Sequence, residues 1–189
     1  MSYNYGSLQD YILFRQRHCK PISPQTIVRG GLYSSSYIWA ENEYKKAGKP
    51  VPSSFFSQWD FFPLFICGET RKVAKNSQKK YLDGINLHFL PVPIRLEIVR
   101  NRKLPLPDSV IKEAIRHYRY EGIKRVWFVP KAVQEEMCLF YADTYFSSTY
   151  GRVTGQTKSQ AKKFVQHYKD AELTEGSSYK DFYYGANGD

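Results

Sequence analysis

Apolar and polar positions alternate most cleanly near the middle of the chain, where Ile85, Leu87 and Phe89 are set against Asn86, His88 and Leu90. A period of two is what a half-buried strand needs, so 84–90 is predicted as a strand opened by Gly84 and closed by Pro91 and Pro93. The apolar runs at 32–40, 61–67, 124–129 and 138–141 predict four further strands. Pro63 cannot donate to a ladder, which places it at the start of its strand or on an edge.

Helical spacing appears elsewhere. Tyr11, Leu13 and Phe14 give 7–18 an apolar side, and this short helix is expected to be able to dock on a neighbouring protein. Ile94, Ile98 and Val99 predict a helix over 94–101. Val110, Ile111, Ala114, Ile115 and Tyr118 predict one over 108–120, capped by Asp108 and stopped by Gly122. A helical turn is expected at 131–136 and a basic helix at 159–171. The polar stretches 41–54, 68–80 and 176–189 read as loops and tail, with 68–80 as a hairpin tip.

Short strands broken by Pro and Gly, with helices between them, predict an α+β fold. Its centre is expected to be a small, partly open SH3-like β-barrel with flanking helices. The organisation expected is an N-terminal helix and arm at 1–29, a core at 30–150, and a basic helix with a polar aromatic tail at 151–189.

Composition adds a partner to this picture. Of 189 residues, 16% are aromatic and 16 are Tyr, so the chain can fill a core and still display rings with wet hydroxyls. The net charge of +10 is concentrated: residues 71–104 hold nine Arg or Lys against two acids, whereas 156–189 hold five Lys against five acids. The cations Arg71, Lys72, Lys75, Lys79 and Lys80, extended by Arg100, Arg102 and Lys103, are expected to meet nucleic acid or an acidic protein face. No base-reading motif accompanies them. Cys19, Cys67 and Cys138 have no paired spacing and read as reduced thiols of a protein made in a cytoplasm. Neither a signal peptide nor a run long enough to span a bilayer is read from the sequence.

Catalytic chemistry finds little footing. His18, His88, His117 and His167 are scattered, and Glu113 with His117 is at most half of a zinc site. Phosphate-loop, dinucleotide and nucleophile-elbow motifs are absent from the sequence. The acids Asp60, Glu69, Asp83, Glu97, Asp108 and Glu113 are too dispersed to suggest a divalent-metal nuclease. The expectation is a protein that is not an enzyme and needs no cofactor.

The run Gly84-Ile85-Asn86-Leu87-His88-Phe89-Leu90-Pro91, with Arg95 four residues on, resembles the G-x-N-L-H-[YF]-L-P motif of a family of small virion proteins of contractile-tailed bacteriophages. Gly30-Gly31-Leu32-Tyr33 with Tyr37, Trp59-Asp60-Phe61-Phe62-Pro63-Leu64, and the segment 118–128 resemble further family features in the same order. The helix at 5–17 is similar in character to the one preceding the family's core. The loop 41–58 is longer than in the family, Phe89 stands where Tyr is usual, and the C-terminal tail has no counterpart.

The resemblance implies a structural part of a virion, in tail, baseplate or neck. Such a part would contact other virion proteins in multiple symmetric copies, and DNA in members that protect genome ends. For the motif itself, the residues suggest scaffolding. Gly84 would allow a tight turn, Asn86 and His88 would share a strand face, and Arg95 would pair with Asp60 or Asp83.

Overall fold

The structure, a computed structural model, describes residues 8–37, 45–50, 61–72, 74, 77–90, 92–101, 111, 112 and 114–140. Helix α1 (Leu8–His18) leads into β1 (Lys20–Ile22), a 3-10 turn at Pro24–Thr26 and β2 (Leu32–Tyr37). Strands β3 (Leu64–Lys72) and β4 (Lys79–Asn86) form a hairpin, followed by a 3-10 turn at Leu87–Phe89 and helix α2 (Val92–Asn101). Strand β5 (Ile115–Arg119), a 3-10 turn at Tyr120–Gly122, β6 (Ile123–Phe128), a 3-10 turn at Lys131–Val133 and helix α3 (Gln134–Leu139) complete the described chain.

The strands make one antiparallel sheet in the order β1-β6-β2-β3-β4-β5. The α+β class is as expected, but the sheet is not closed into a barrel, because β1 and β5 are its two edges and do not pair with each other. Register shifts at Ser36/Tyr37 and along β3 bend it locally.

Two cores flank the sheet. Leu32, Leu64, Ile66, Ile85 and Trp127 face Tyr11 of α1, Val92, Ile94 and Ile98 of α2, and Met137 and Cys138 of α3. On the other face Tyr33, Phe65, Cys67, Leu82, Tyr118 and Val126 pack together with Ile27 and Tyr120. Burial on both faces explains why Leu64-Phe65-Ile66-Cys67 reads as a continuous apolar run rather than an alternation. Pro63 lies just before β3, where its missing N–H costs the ladder nothing.

Several expectations need correction. The helix at 7–18 docks on its own sheet: Tyr11 and Arg15, one helical turn apart, are both buried there. The helix over 108–120 is helical in its described part only at 111, 112 and 114. Residues 115–119 are an edge strand paired with β4. Ile115 and Tyr118 fall three apart, which suits one helix face, yet they enter opposite cores, as a strand requires. Pairing to β4 decides the matter over local spacing.

The strand at 84–90 stops at Asn86 and begins five residues earlier than expected, at Lys79. The presumed loop 68–80 is therefore largely the paired ends of β3 and β4. The strand at 138–141 is, at 138 and 139, the end of α3. That helix carries Glu135 and Glu136 in its first turn, where acids suit a helix N-terminus. The helix at 94–101 and the strand at 124–129 are present as α2 and β6. The elements expected at 159–171 and 176–189 lie outside the described residues.

Candidate functional site

The sequence motif builds a chain reversal. Where β4 ends, the Asn86 side-chain oxygen accepts a hydrogen bond from the His88 N–H at 3.0 Å, capping the 3-10 turn. Arg95, fully buried on α2, reaches back over that turn. Its Nε donates to the Leu90 carbonyl at 2.8 Å and its Nη2 to the His88 carbonyl at 3.4 Å. Its Nη1 donates to the Cys138 carbonyl at the end of α3, at 3.2 Å. One planar cation thus ties together a turn and two helices, and carbonyl oxygens replace the water it lost.

The expected pairing of Arg95 with Asp83 does not occur, because Asp83 is engaged by Arg71 and His117. Asp60, the other expected partner, lies outside the described residues.

Two further motif residues behave differently from expectation. His88 sits in the turn rather than on a strand, buried, with its ring edge-on to Tyr11 at 5.6 Å. Burial first, and then the nearby Arg95 charge, hold its pKa well below the usual 6.5, so the ring is neutral at physiological pH. Gly84 lies in mid-strand, opposite Cys67 and Arg116, and is not a turn residue. A Cβ there would stand 3.0 Å from Phe65 Cδ2 and 3.2 Å from Tyr118 Cε2, so the glycine makes room for two packed rings whose centroids are 5.0 Å apart.

The charged residues gather on strands β3, β4 and β5. Asp83, only 8% exposed, accepts from Arg71 Nη2 at 2.8 Å and contacts Nδ1 of its cross-strand neighbour His117 at 2.5 Å. In the next row Arg71, Tyr81 and Arg119 stand side by side across the three strands, and the Arg119 guanidinium lies 5.5 Å from the Tyr81 ring centroid. Lys72 and Lys80 are exposed, and neither has an ion-pair partner among the described residues.

Lys79 is not available in the way expected. Its ammonium donates to the carbonyls of Gln25 at 3.1 Å and Ile27 at 2.9 Å, while its backbone exchanges two hydrogen bonds with the Gln25 amide. It staples β4 to the turn after β1. Arg100 lies apart from this group, in the last turn of α2, where it pairs with Glu135 of α3. Lys75, Arg102 and Lys103 lie outside the described residues.

Between the Pro24–Thr26 turn, the start of β4 and the end of β5 is an open cleft of about 440 Å3. Lys80, Tyr81 and Arg119 line it together with Gln25, Gln78 and Glu121. This mixture of cations, an exposed ring and amides suits binding of an anionic group. Among the described residues no group of three His, Cys, Asp or Glu side chains is placed to hold a metal ion. Burial pushes the thiol of Cys19 up to about 11 and those of Cys67 and Cys138 up to about 12, which keeps all three protonated and weakly nucleophilic at neutral pH.

One buried polar group escaped the sequence reading. Arg15, 2% exposed, stacks its guanidinium 3.7 Å from the Trp127 ring centroid and donates to Ser34 Oγ and the Ser35 carbonyl, each at 3.2 Å. The Tyr11 hydroxyl shares the same Ser34 Oγ at 2.7 Å. Tyr11 and Arg15 one turn apart, opposite serines in a central strand, were the available signal. The amphipathic reading of α1 used only its apolar side. These contacts weld α1 to the sheet.

No family model, curated protein or solved structure matches the chain.

Proposed function

We propose that this protein is a non-enzymatic structural component of a tailed-phage virion, in tail, baseplate or neck, and that it works in assembly through protein–protein contacts. One observation carries most of the weight. The chain's most specific motif is spent on internal stitching, through Asn86 and Arg95, while Arg71, Lys72, Lys80, Tyr81 and Arg119 of β3–β5 are exposed. The resemblance of that motif to virion proteins supplies the setting. A scaffold whose specificity lies on its surface is the reading that accounts for both. An SH3-like character of the core belongs to the same proposal, supported by the register shifts between β2 and β6 and between β3 and β4.

A second reading is favoured by the unpaired lysines: a virion protein that contacts DNA at genome ends or the head–tail junction through Lys72 and Lys80. Phosphate contacts weaken steeply with salt, so titration of duplex DNA at rising ionic strength separates the readings. The assembly reading expects weak binding throughout. Tight, salt-steep binding lost in Lys72→Ala/Lys80→Ala would transfer the case to DNA. No helix among the described residues is long and apolar enough to cross a membrane.

A further inference from the structure

We propose that the face of β3–β4–β5 around Tyr81 is a binding surface for single-stranded nucleic acid, with the Tyr81 ring as a stacking platform. Neither the assembly reading nor the duplex reading requires such a platform. Residues paired across neighbouring strands share a face, so the row Arg71–Tyr81–Arg119 sets one aromatic ring between two cations. With strands about 4.8 Å apart, that row is roughly 10 Å long. Tyr81 is 37% exposed, and the Arg119 guanidinium lies 5.5 Å from its ring centroid. One row along the same face, Asp83 accepts from Arg71 Nη2 at 2.8 Å and contacts His117 Nδ1. The Asp83 charge is thereby answered within the protein. The contact also orients Arg71, whose side chain is still 52% exposed.

The exposed charged residues of these three strands are Arg71, Lys72, Lys80 and Arg119 against Glu69, so the complementary partner is a polyanion. Lys72 follows Arg71 and Lys80 precedes Tyr81, which in an antiparallel hairpin puts both lysines at the same end of the row. Neither has an ion-pair partner among the described residues. The ring then selects among polyanions. In a duplex the bases stack on one another and hide their flat faces, and an acidic peptide satisfies the lysines without any ring. A single strand brings both parts: phosphates for Arg71, Lys72 and Lys80, and an open base face for Tyr81. Every base has such a face, so the binding is tolerant of sequence, in keeping with a chain that carries cations and no base-reading motif.

The test uses the full chain at low salt and four labelled probes in fluorescence polarisation: oligothymidylate, an abasic strand of the same length, the corresponding duplex, and a peptide of alternating Glu and Ser. Oligothymidylate should bind at least tenfold more tightly than each of the others. Tyr81→Ala should weaken it roughly tenfold, and Tyr81→Leu, which keeps apolar bulk without a π face, should do the same. Tyr81→Phe should stay within twofold of the parent chain. The abasic strand keeps its phosphates, so the alanine and leucine variants should bind it as the parent does, whereas loss of folding would weaken both strands. Lys72→Glu/Lys80→Glu should weaken both strands and reduce the salt dependence.

Equal affinity for oligothymidylate and the abasic strand would overturn the proposal. So would a duplex or Glu/Ser peptide that binds as tightly as oligothymidylate, equal losses in Tyr81→Phe and Tyr81→Leu, or no binding of oligothymidylate at all. Detection of the chain in purified particles bears on the assembly reading alone and leaves this surface as it stands.

Discussion

Arg95 donates a hydrogen bond to the carbonyl of Cys138, forty-three positions along the chain, from a side chain that is completely buried. The same guanidinium holds the carbonyls of His88 and Leu90, so removing it strips three buried acceptors at once. Each buried acceptor left unsatisfied costs on the order of 1–3 kcal/mol. Arg95→Met is expected to lower stability by about 3–5 kcal/mol in urea unfolding. Arg95→Lys should recover only a minor part, because a single ammonium cannot span three carbonyls in the plane of a fork. Full recovery by lysine would show that charge alone matters there.

Asn86 contributes through one side-chain hydrogen bond at the head of the turn. Asn86→Ala is expected to cost about 1–2 kcal/mol. Asn86→Asp keeps the acceptor and should retain most of the stability, which equilibrium unfolding of the two variants compares directly.

At Gly84 the expected penalty is steric. Phe65 is fully buried between Tyr33 and Tyr118, so it has little room to yield the few tenths of an ångström that a Cβ would demand. Gly84→Ala should destabilise by about 1–3 kcal/mol. Combined with Phe65→Leu, which opens space beside residue 84, its incremental cost should shrink markedly. A double-mutant cycle on thermal midpoints measures the coupling. A turn role for Gly84 would leave the two substitutions additive.

His88 makes stability depend on pH. Its folded pKa is depressed below the usual 6.5, so the unfolded chain takes up a proton that the folded chain refuses. The resulting stability is fully present above pH 6.5 and is lost as pH falls from there toward the folded pKa, with a limiting slope of about 1.4 kcal/mol per pH unit. Urea midpoints should fall between pH 6.5 and 5, above the range in which ordinary carboxylates titrate. In His88→Gln that slope should flatten, whatever the variant's stability at neutral pH.

How far the sequence foretold this structure depends on whether a segment's pattern is local. Helices α1 and α2 and strands β2, β3 and β6 were legible because their apolar spacing matches one regular element. Residues 115–119 were misread because Ile115 and Tyr118 fit a helix face equally well; only pairing with β4, thirty or more positions earlier, distinguishes the two. The motif's importance was visible in its residues, but its mechanism was not. Asn86 as a cap and Arg95 as a clamp depend on where β4 stops and where α3 ends. Among the expected cations, Lys80 and Arg71 reach the candidate surface, whereas Lys79 and Arg100 are drawn into contacts with Gln25, Ile27 and Glu135 that no charge count reveals.

The proposal that this chain is a virion subunit meets its most direct test in the particle itself. On that proposal the gene belongs to a tailed phage, and quantitative mass spectrometry of its density-purified virions should find the chain at a fixed copy number relative to tail or neck proteins, matching a symmetric ring. Its complete absence from infectious particles, with other minor structural proteins detected, would contradict the account.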